Sequence, residues 1–381
     1  MRIYFDGIIY SWHKYGGIRK YFDELMAHLP SSAQSTLLVR EPHYGLPDNK
    51  NVKIEDLPLT KILWPEASYP YLKRLFSPLY GRKIDSYFKS VREGVFHSTY
   101  FTTYPSLKIP QVLTVHDMTY ERFPEFFQSL GGRRFIQQKK RCIEQAEAVI
   151  CVSRATKESL REMYDVAEEK LTVIHHGISK IFNLSPERPT REELVRKYDL
   201  SRPFFLFVGY RGRYKNFPFF ARSFARFNLD KGFDLVLVGG EALAREEHKN
   251  LISLEMRGRV KHLLNISEIE LKSLYQLCEA FVFPSLDEGF GLPILEGLGC
   301  GARVVASDLP VFREIAGDQL SYFDPRDEQS LIDALEQVVD KKISEKEIRT
   351  ISENISNTYT WDKCAEKTMD LYEKLARKPK L

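Results

Sequence analysis

The sequence predicts two doubly wound α/β domains, each built on a parallel sheet covered by helices on both faces, facing each other across a central cleft. Three observations predict it. Short runs continuous in Val, Ile, Leu and Phe alternate with longer amphipathic stretches along the whole chain, the pattern of strands buried on both faces. A chain of 381 residues is too long for one ordinary core. A polar, proline-bearing seam over 183–203, NLSPERPTREELVRKYDLSRP, divides it into halves of similar size.

The elements follow in order. RIYFDGIIY opens the first half as a strand, and Gly16-Gly17 turns the chain into a helix over 18–29. STLLV, GVFHSTYF, QVLTVHD, AVICVS and LTVIHHG are the further strands, with helices over 133–146 and 154–164. This first domain occupies 1–183. In the second, 203–360, the strands are FFLFVGY, DLVLVGG, RVKHLL, AFVFPS and ARVVASD, with helices over 268–277 and 329–339. From Trp361 the chain is one amphipathic helix with a basic tail, and 361–381 is expected to pack back on the first domain. Ligands of such sheets sit at the carboxyl ends of the strands.

Composition excludes several classes. Hydrophobic content of 43% and charged content of 28% are those of a soluble globular protein, and a net charge of +4 does not mark a dedicated nucleic-acid binder. Cys142, Cys151, Cys278, Cys300 and Cys364 lie far apart without a C-x-x-C pair. They read as reduced thiols of a cytoplasmic protein, not as disulfides or a zinc site. The N-terminus, MRIYFDGIIYSWHKYGG, lacks a signal peptide's apolar core, and no run reaches the roughly 18 apolar residues that span a bilayer.

The chemistry concentrates in 286–308, LDEGFGLPILEGLGCGARVVASD. The cluster Gly297, Gly299 and Gly301 follows a helix and precedes a strand, the reverse of a dinucleotide fingerprint. These glycines read as a helix end packed on the sheet. The turn over 285–291 instead leads from a strand into a helix with Pro293 at its expected first position, so free backbone N–H groups face the turn. Glu288 in that turn and Glu296 one turn into the helix are carboxylates suited to sugar and ribose hydroxyls. Each could equally be a solvated surface acid if it stood alone. The loop of FLFVGYRGRYKN, after Gly209, carries Arg211, Arg213 and Lys215, a clamp for a diphosphate. Gly16-Gly17 is either a close-approach turn for a ligand or an ordinary tight turn. His116 and Asp117 end a central strand, where a histidine can touch substrate. His175-His176 has no acidic or cysteine partner nearby and reads as structural or hinge-related. No D-x-D sequence occurs, so no metal site is expected.

Together, Gly16-Gly17, VHD, VGYRGRYKN, the E-x₇-E of EGFGLPILE and ARVVASDLPVFREIAGD resemble glycosyltransferase family 4, retaining enzymes of the GT-B fold. The resemblance runs over nearly the whole chain, and the opening FDGIIYSWHKYGGIRKYF is similar to bacterial members that build O-antigen or other surface polysaccharides. It implies transfer of a sugar from a nucleotide-diphosphate sugar, GDP-mannose ahead of dTDP- and UDP-sugars, to a glycan or lipid-linked acceptor. It also implies roles. Lys215 and a loop arginine neutralise the leaving diphosphate. Glu288 holds donor-sugar hydroxyls, and the backbone of Phe290, Gly291 and Leu292 contacts sugar and phosphates. Glu296 accepts from the ribose, Gly17 approaches the diphosphate, and His116 contacts the sugar near its anomeric carbon. Gly16, Gly209 and Asn216 complete the donor-binding set. Many members carry an arginine directly after the loop glycine, where this chain has Tyr210; Arg211 takes that part, with Arg213 the alternative. Base recognition falls near Gly239-Gly240 and 264–266. A GT-B-type nucleotide-sugar epimerase and a non-catalytic nucleotide-sugar-binding protein are the competing readings.

One segment concerns partners. Residues 69–92, YPYLKRLFSPLYGRKIDSYFKSVR, carry six basic residues and one acid between Leu72, Leu75, Phe76, Leu79, Tyr80, Tyr87 and Phe88. They read either as a surface that meets anionic lipid at the inner face of the cell membrane or as a solvated helix pair. Arg133-Arg134 and Lys139-Lys140-Arg141 would extend the same surface.

Overall fold

A computed structural model describes residues 1–39, 43–57, 69–185, 191–256, 258–341 and 343–377, with the backbone alone for 69–78 and 191. The chain divides into two compact units, 1–177 with 361–381 and 178–360. The division falls at Gly177–Ile178, a few residues before the proline-bearing seam, of which 186–190 lie outside the described residues.

The first unit holds a seven-stranded sheet: β1 (Arg2–Asp6), β2 (Gln34–Val39), β3 (Val52–Asp56), β4 (Val95–Ser98), β5 (Gln111–Val115), β6 (Ala148–Cys151) and β7 (Leu171–Val173). Its order is β3-β2-β1-β4-β5-β6-β7 and its pairings are parallel. The second unit holds a six-stranded sheet: β8 (Phe204–Val208), β9 (Asp234–Val238), β10 (Val260–Leu263), β11 (Ala280–Phe283), β12 (Val304–Ser307) and β13 (Ser321–Phe323). Its order is β10-β9-β8-β11-β12-β13, again parallel. In each sheet the strand order reverses beside the first strand, at β1/β4 and at β8/β11. That reversal opens a crevice at the carboxyl ends of those strands.

Four elements depart from the sequence reading. The first strand stops at Asp6. Gly7 donates its N–H to the Leu38 carbonyl, and Ile8–Trp12 then forms a short helix, so GIIY is not strand. β3 and β13 are additional edge strands. β3 is polar at Lys53, Glu55 and Asp56 and exposes Lys53, Ile54 and Asp56, and β13 is three residues long, so neither gives a continuous apolar run. Residues Tyr69–Phe88 form one 20-residue helix. Its Tyr80, Ile84 and Phe88, spaced four apart, are buried with Tyr4, Leu38, Phe96 and Tyr104, so this part of the expected membrane surface faces the protein core. The side chains of 69–78 lie outside the described residues.

The final Trp361–Ala376 helix belongs to the first unit. Trp361, Cys364, Ala365, Met369, Leu371, Tyr372 and Leu375 share one buried cluster with Tyr21, Phe22 and Leu25 of the Gly17–His28 helix and with β1. No helix among the described residues is long and apolar enough to cross a membrane.

Candidate functional site

The second unit brings its two loops together at the β8/β11 switch point. The β8 loop turns through Gly209 at φ 128°, a conformation open to glycine, with no heavy atom within 4 Å of the position a Cβ would take. It continues as a 3-10 turn, Arg213–Lys215. Tyr214 accepts a hydrogen bond from Leu286 N at 2.7 Å, which ties this loop to the one after β11. Lys215 Nζ is ion-paired with the Glu288 carboxylate, and the same Glu288 oxygen accepts from Ser285 Oγ at 2.7 Å. The ammonium also lies 5.2 Å from the ring centres of Tyr214 and Phe283. Both partners keep a partly exposed side chain, so the pair is open to a ligand that inserts phosphate toward the cation and hydroxyls toward the carboxylate.

The β11 loop runs into the Leu292–Gly299 helix, whose N-cap Gly291 has φ 105°. Leu292 rather than Pro293 is the first helical residue; Pro293 is second, where its missing N–H costs no helical bond. Phe290 is buried with its ring 5.9 Å from Tyr359, fixing the backbone over 290–292 that faces the turn. Glu296 is only 6% exposed. It is enclosed in the unit beside Tyr275, whose hydroxyl burial and the Glu296 charge push well above its usual pKa. The later glycines meet protein instead of space. A Cβ on Gly299 would lie 2.7 Å from the Phe182 carbonyl oxygen and one on Gly301 2.8 Å from Leu184.

Arg211 does not turn toward this loop. It is 5% exposed, and its guanidinium donates to both Glu247 carboxylate oxygens and to the carbonyls of Gly239 and Glu241, with His262 Nε2 3.1 Å away. Burial alone would raise the Glu247 carboxyl. Bonds from Arg211 and from the Ala244 N–H outweigh it and hold that carboxyl below its usual range. A guanidinium whose fork is filled this way braces the ends of β8, β9 and β10, and the diphosphate-clamping part expected of Arg211 has no donor left to perform it. Arg213, exposed at φ 55°, begins the 3-10 turn two residues later. Asn216, at φ 58°, caps the Phe217–Phe227 helix and donates its amide to the Pro325 carbonyl at 3.0 Å. Its side-chain amide secures a loop.

In the first unit, Gly16 at φ 140° and Gly17 open the Gly17–His28 helix, and no heavy atom lies within 4 Å of a Cβ on either. His116 follows β5, with its ring 5.0 Å from Tyr21 and 5.6 Å from His176. Burial, with small contributions from His97 and Lys139, lowers its pKa to about 3, so the imidazole is neutral. His97 is equally neutral, at about 3, and bonds Tyr372 and Thr114, joining the final helix to β4 and β5.

Two residues here escaped sequence reasoning. Asp6 is fully buried at the end of β1 and accepts from the Thr99 N–H and from the Thr99, Thr102 and Tyr104 hydroxyls. Burial nevertheless pushes its carboxyl upward. An acid closing an apolar strand was the available signal. Lys139, read from QKKR as part of a basic surface, is buried. It donates to the Asp117 carbonyl at 2.7 Å, pairs with Glu121 at 3.0 Å and lies over the Phe101 ring, so it supports the loop that carries His116.

Two doubly wound parallel sheets, with a lysine–glutamate pair beside a helix start at the switch point of the second, define a protein of the GT-B class. The family model for Glycosyltransferase Family 4 matches residues 15–180, and that for Glycosyl transferases group 1 matches 190–355. The chain belongs to the family 4 glycosyltransferases, with a group 1 domain as its second half. O-antigen chain mannosyltransferase RfbU of Salmonella typhimurium is 31% identical over 60% of this chain and 62% of its own length. Serotype-specific mannosyltransferase WbdA of Escherichia coli is 26% identical over 65% of this chain. The matched region spans only 31% of that longer relative. Anabaena HepE, solved in complex with UDP-glucose, shares the fold with a TM-score of 0.73 at 17% identity, over 98% of this chain and all of the other.

Proposed function

We propose that this protein is a retaining glycosyltransferase that moves mannose from GDP-mannose to a glycan or lipid-linked acceptor during assembly of an O-antigen or related surface polysaccharide. The observation that carries it is the Lys215–Glu288 pair at the β8/β11 switch point, beside the Gly291-capped helix start. The ammonium and the helix N–H groups answer the charge that grows on a departing diphosphate. The carboxylate accepts from donor-sugar hydroxyls with charge assistance. The mannosyltransferase names of the relatives support mannose; the UDP-glucose held by the structural neighbour supports a nucleotide-sugar donor in general.

In this reading neutral His116 contacts the donor sugar near the anomeric carbon, and Gly17 leaves room for the diphosphate. The acceptor attacks from the face the diphosphate leaves, and the departing phosphate takes its proton, so configuration is retained. No divalent metal takes part. Arg82, Lys83 and Lys89 stay exposed, and contact of this basic edge with anionic lipid would bring a lipid-linked acceptor within reach. The test is a melting-temperature panel with GDP, UDP and dTDP, because a ligand bound only by the native state raises the melting point. It is followed by transfer from GDP-mannose in EDTA and proton NMR of the product's anomeric signal. A shift with UDP and none with GDP, or a product of inverted configuration, would overturn the respective part.

A further inference from the structure

Six consecutive exposed residues run from Trp12, the last of the short helix after β1, to Gly17, the first of the next helix. Two are large aromatics that the fold leaves uncovered, Trp12 at 48% and Tyr15 at 77% exposure. Two exposed rings three residues apart leave apolar faces that a ligand can cover. The loop that carries them is nonetheless held in place. Arg19 donates to the carbonyls of His13, Lys14 and Tyr44 at 3.0 to 3.2 Å, and its guanidinium lies 5.1 Å from the Tyr10 ring. His13, between the two aromatics, packs edge-on against Tyr100 of the β4 loop with centroids 5.5 Å apart. Asp6 and Thr99 join the β1 and β4 loops at the switch point of this sheet. The platform is therefore fixed before any ligand arrives, at the crevice where such a sheet binds.

We propose that Trp12 and Tyr15 form a stacking platform for a pyranose ring of the acceptor, so that the acceptor is recognised through its sugar. This rests on the glycosyl-transfer reading above and names the acceptor chemistry of the same enzyme. One face of a pyranose presents C–H groups polarised by neighbouring oxygens, which suit the electron-rich face of an aromatic ring. Its rim of hydroxyls needs polar partners. His13, Lys14 and the backbone at the Gly17–His28 helix start supply them in the same six residues.

Saturation-transfer NMR on the full-length protein with α-linked mannotriose tests this. Wild type is expected to transfer saturation to the ring C–H protons. Trp12→Ala and Tyr15→Ala should each weaken binding about tenfold, the scale of one stacking contact, and the double variant should show none. Far-UV circular dichroism and the melting shift given by GDP should persist in all three, since these side chains stand on the surface. Undiminished signal in the double variant, or none in wild type, overturns the proposal. So does loss of co-sedimentation with phosphatidylglycerol vesicles in Trp12→Ala and Tyr15→Ala with mannotriose binding intact. A wild type that binds mannotriose but no nucleotide would instead sink the transfer reading and leave the platform standing.

Discussion

Lys215 and Glu288, 73 residues apart in sequence, meet as an ion pair that joins the loop after β8 to the loop after β11. The relation matters because it sets two opposite charges at one point of the switch crevice, each oriented by the other. Lys215→Ala removes the cation that answers the diphosphate and is expected to lower kcat by about 10²- to 10³-fold, the cost of one such donor. Glu288→Ala should lose a similar factor through sugar positioning. Each change should cost about 1–3 kcal/mol of stability, because the pair is mostly buried and its remaining member loses a partner. Turnover of radiolabelled donor, measured beside thermal melts, checks both. A folded Glu288→Ala protein with near-normal turnover removes its role.

Arg211 separates bracing from binding. Its loss would take the guanidinium bonds from Glu247 and from the carbonyls of Gly239 and Glu241, and breaking a buried pair costs about 3–5 kcal/mol. Arg211→Ala should therefore depress the melting point of the second unit by roughly 6–20 °C. Arg211→Lys should recover little, since an ammonium cannot fill the fork. Arg213→Ala, at an exposed position, should leave the melting point within a degree or two. A stable Arg211→Ala protein that loses only donor affinity would restore the diphosphate role to Arg211.

How far the sequence reached follows from the same residues. The placement of Lys215 and Glu288 on loops after strands, and of Gly291 at a helix start, was legible because a strand, a glycine turn and a helix start dictate what lies beside them. Gly299 and Gly301 were legible as scaffold because a helix preceded them. Arg211 was not. Its partners lie 28 to 51 residues away in sequence, and nothing local distinguishes a braced guanidinium from a binding one. Lys139 failed for the same reason, since QKKR shows charge and conceals which lysine points inward. β3 and β13 were missed because edge strands need no unbroken apolar run.

The buried histidines predict acid lability in the first unit. Burial holds His97 and His116 near 3 and His176 well below 6.5, their ordinary value. Between pH 6.5 and 3 the unfolded chain therefore binds more protons than the folded unit, and stability falls as pH falls. Above pH 6.5 the contribution is complete. Each imidazole supplies a slope of up to about 1.4 kcal/mol per pH unit. Asp6 and Asp23, whose carboxyls burial raises, work in the opposite sense above 3.8, two groups against three. Urea midpoints at pH 7.5, 6 and 5 should decline in wild type. In His97→Gln the midpoint should start lower and decline less steeply, by about one proton. Parallel declines would show that His97 does not titrate as stated.

The glycines give a contrast that separates space for a ligand from space for the protein. At Gly17 the backbone is helical, and a new Cβ meets no heavy atom within 4 Å. Gly17→Ala should leave the melting point unchanged or raise it, since alanine is the better helix former by up to about 1 kcal/mol. If the donor's diphosphate closes on that position, the same methyl raises the KM for donor at least tenfold while the protein stays folded. At Gly299 the new Cβ would lie 2.7 Å from the Phe182 carbonyl, backbone that cannot swing aside, so Gly299→Ala should lower the melting point. Gly291→Ala should do both: φ 105° is strained for alanine, and the Cβ would lie 3.0 Å from the Phe312 ring beside the proposed phosphate site. Donor KM and melting temperature measured on all three variants decide the assignment. A Gly17→Ala protein with unaltered donor KM would make that glycine an ordinary turn residue and leave donor binding to the second unit.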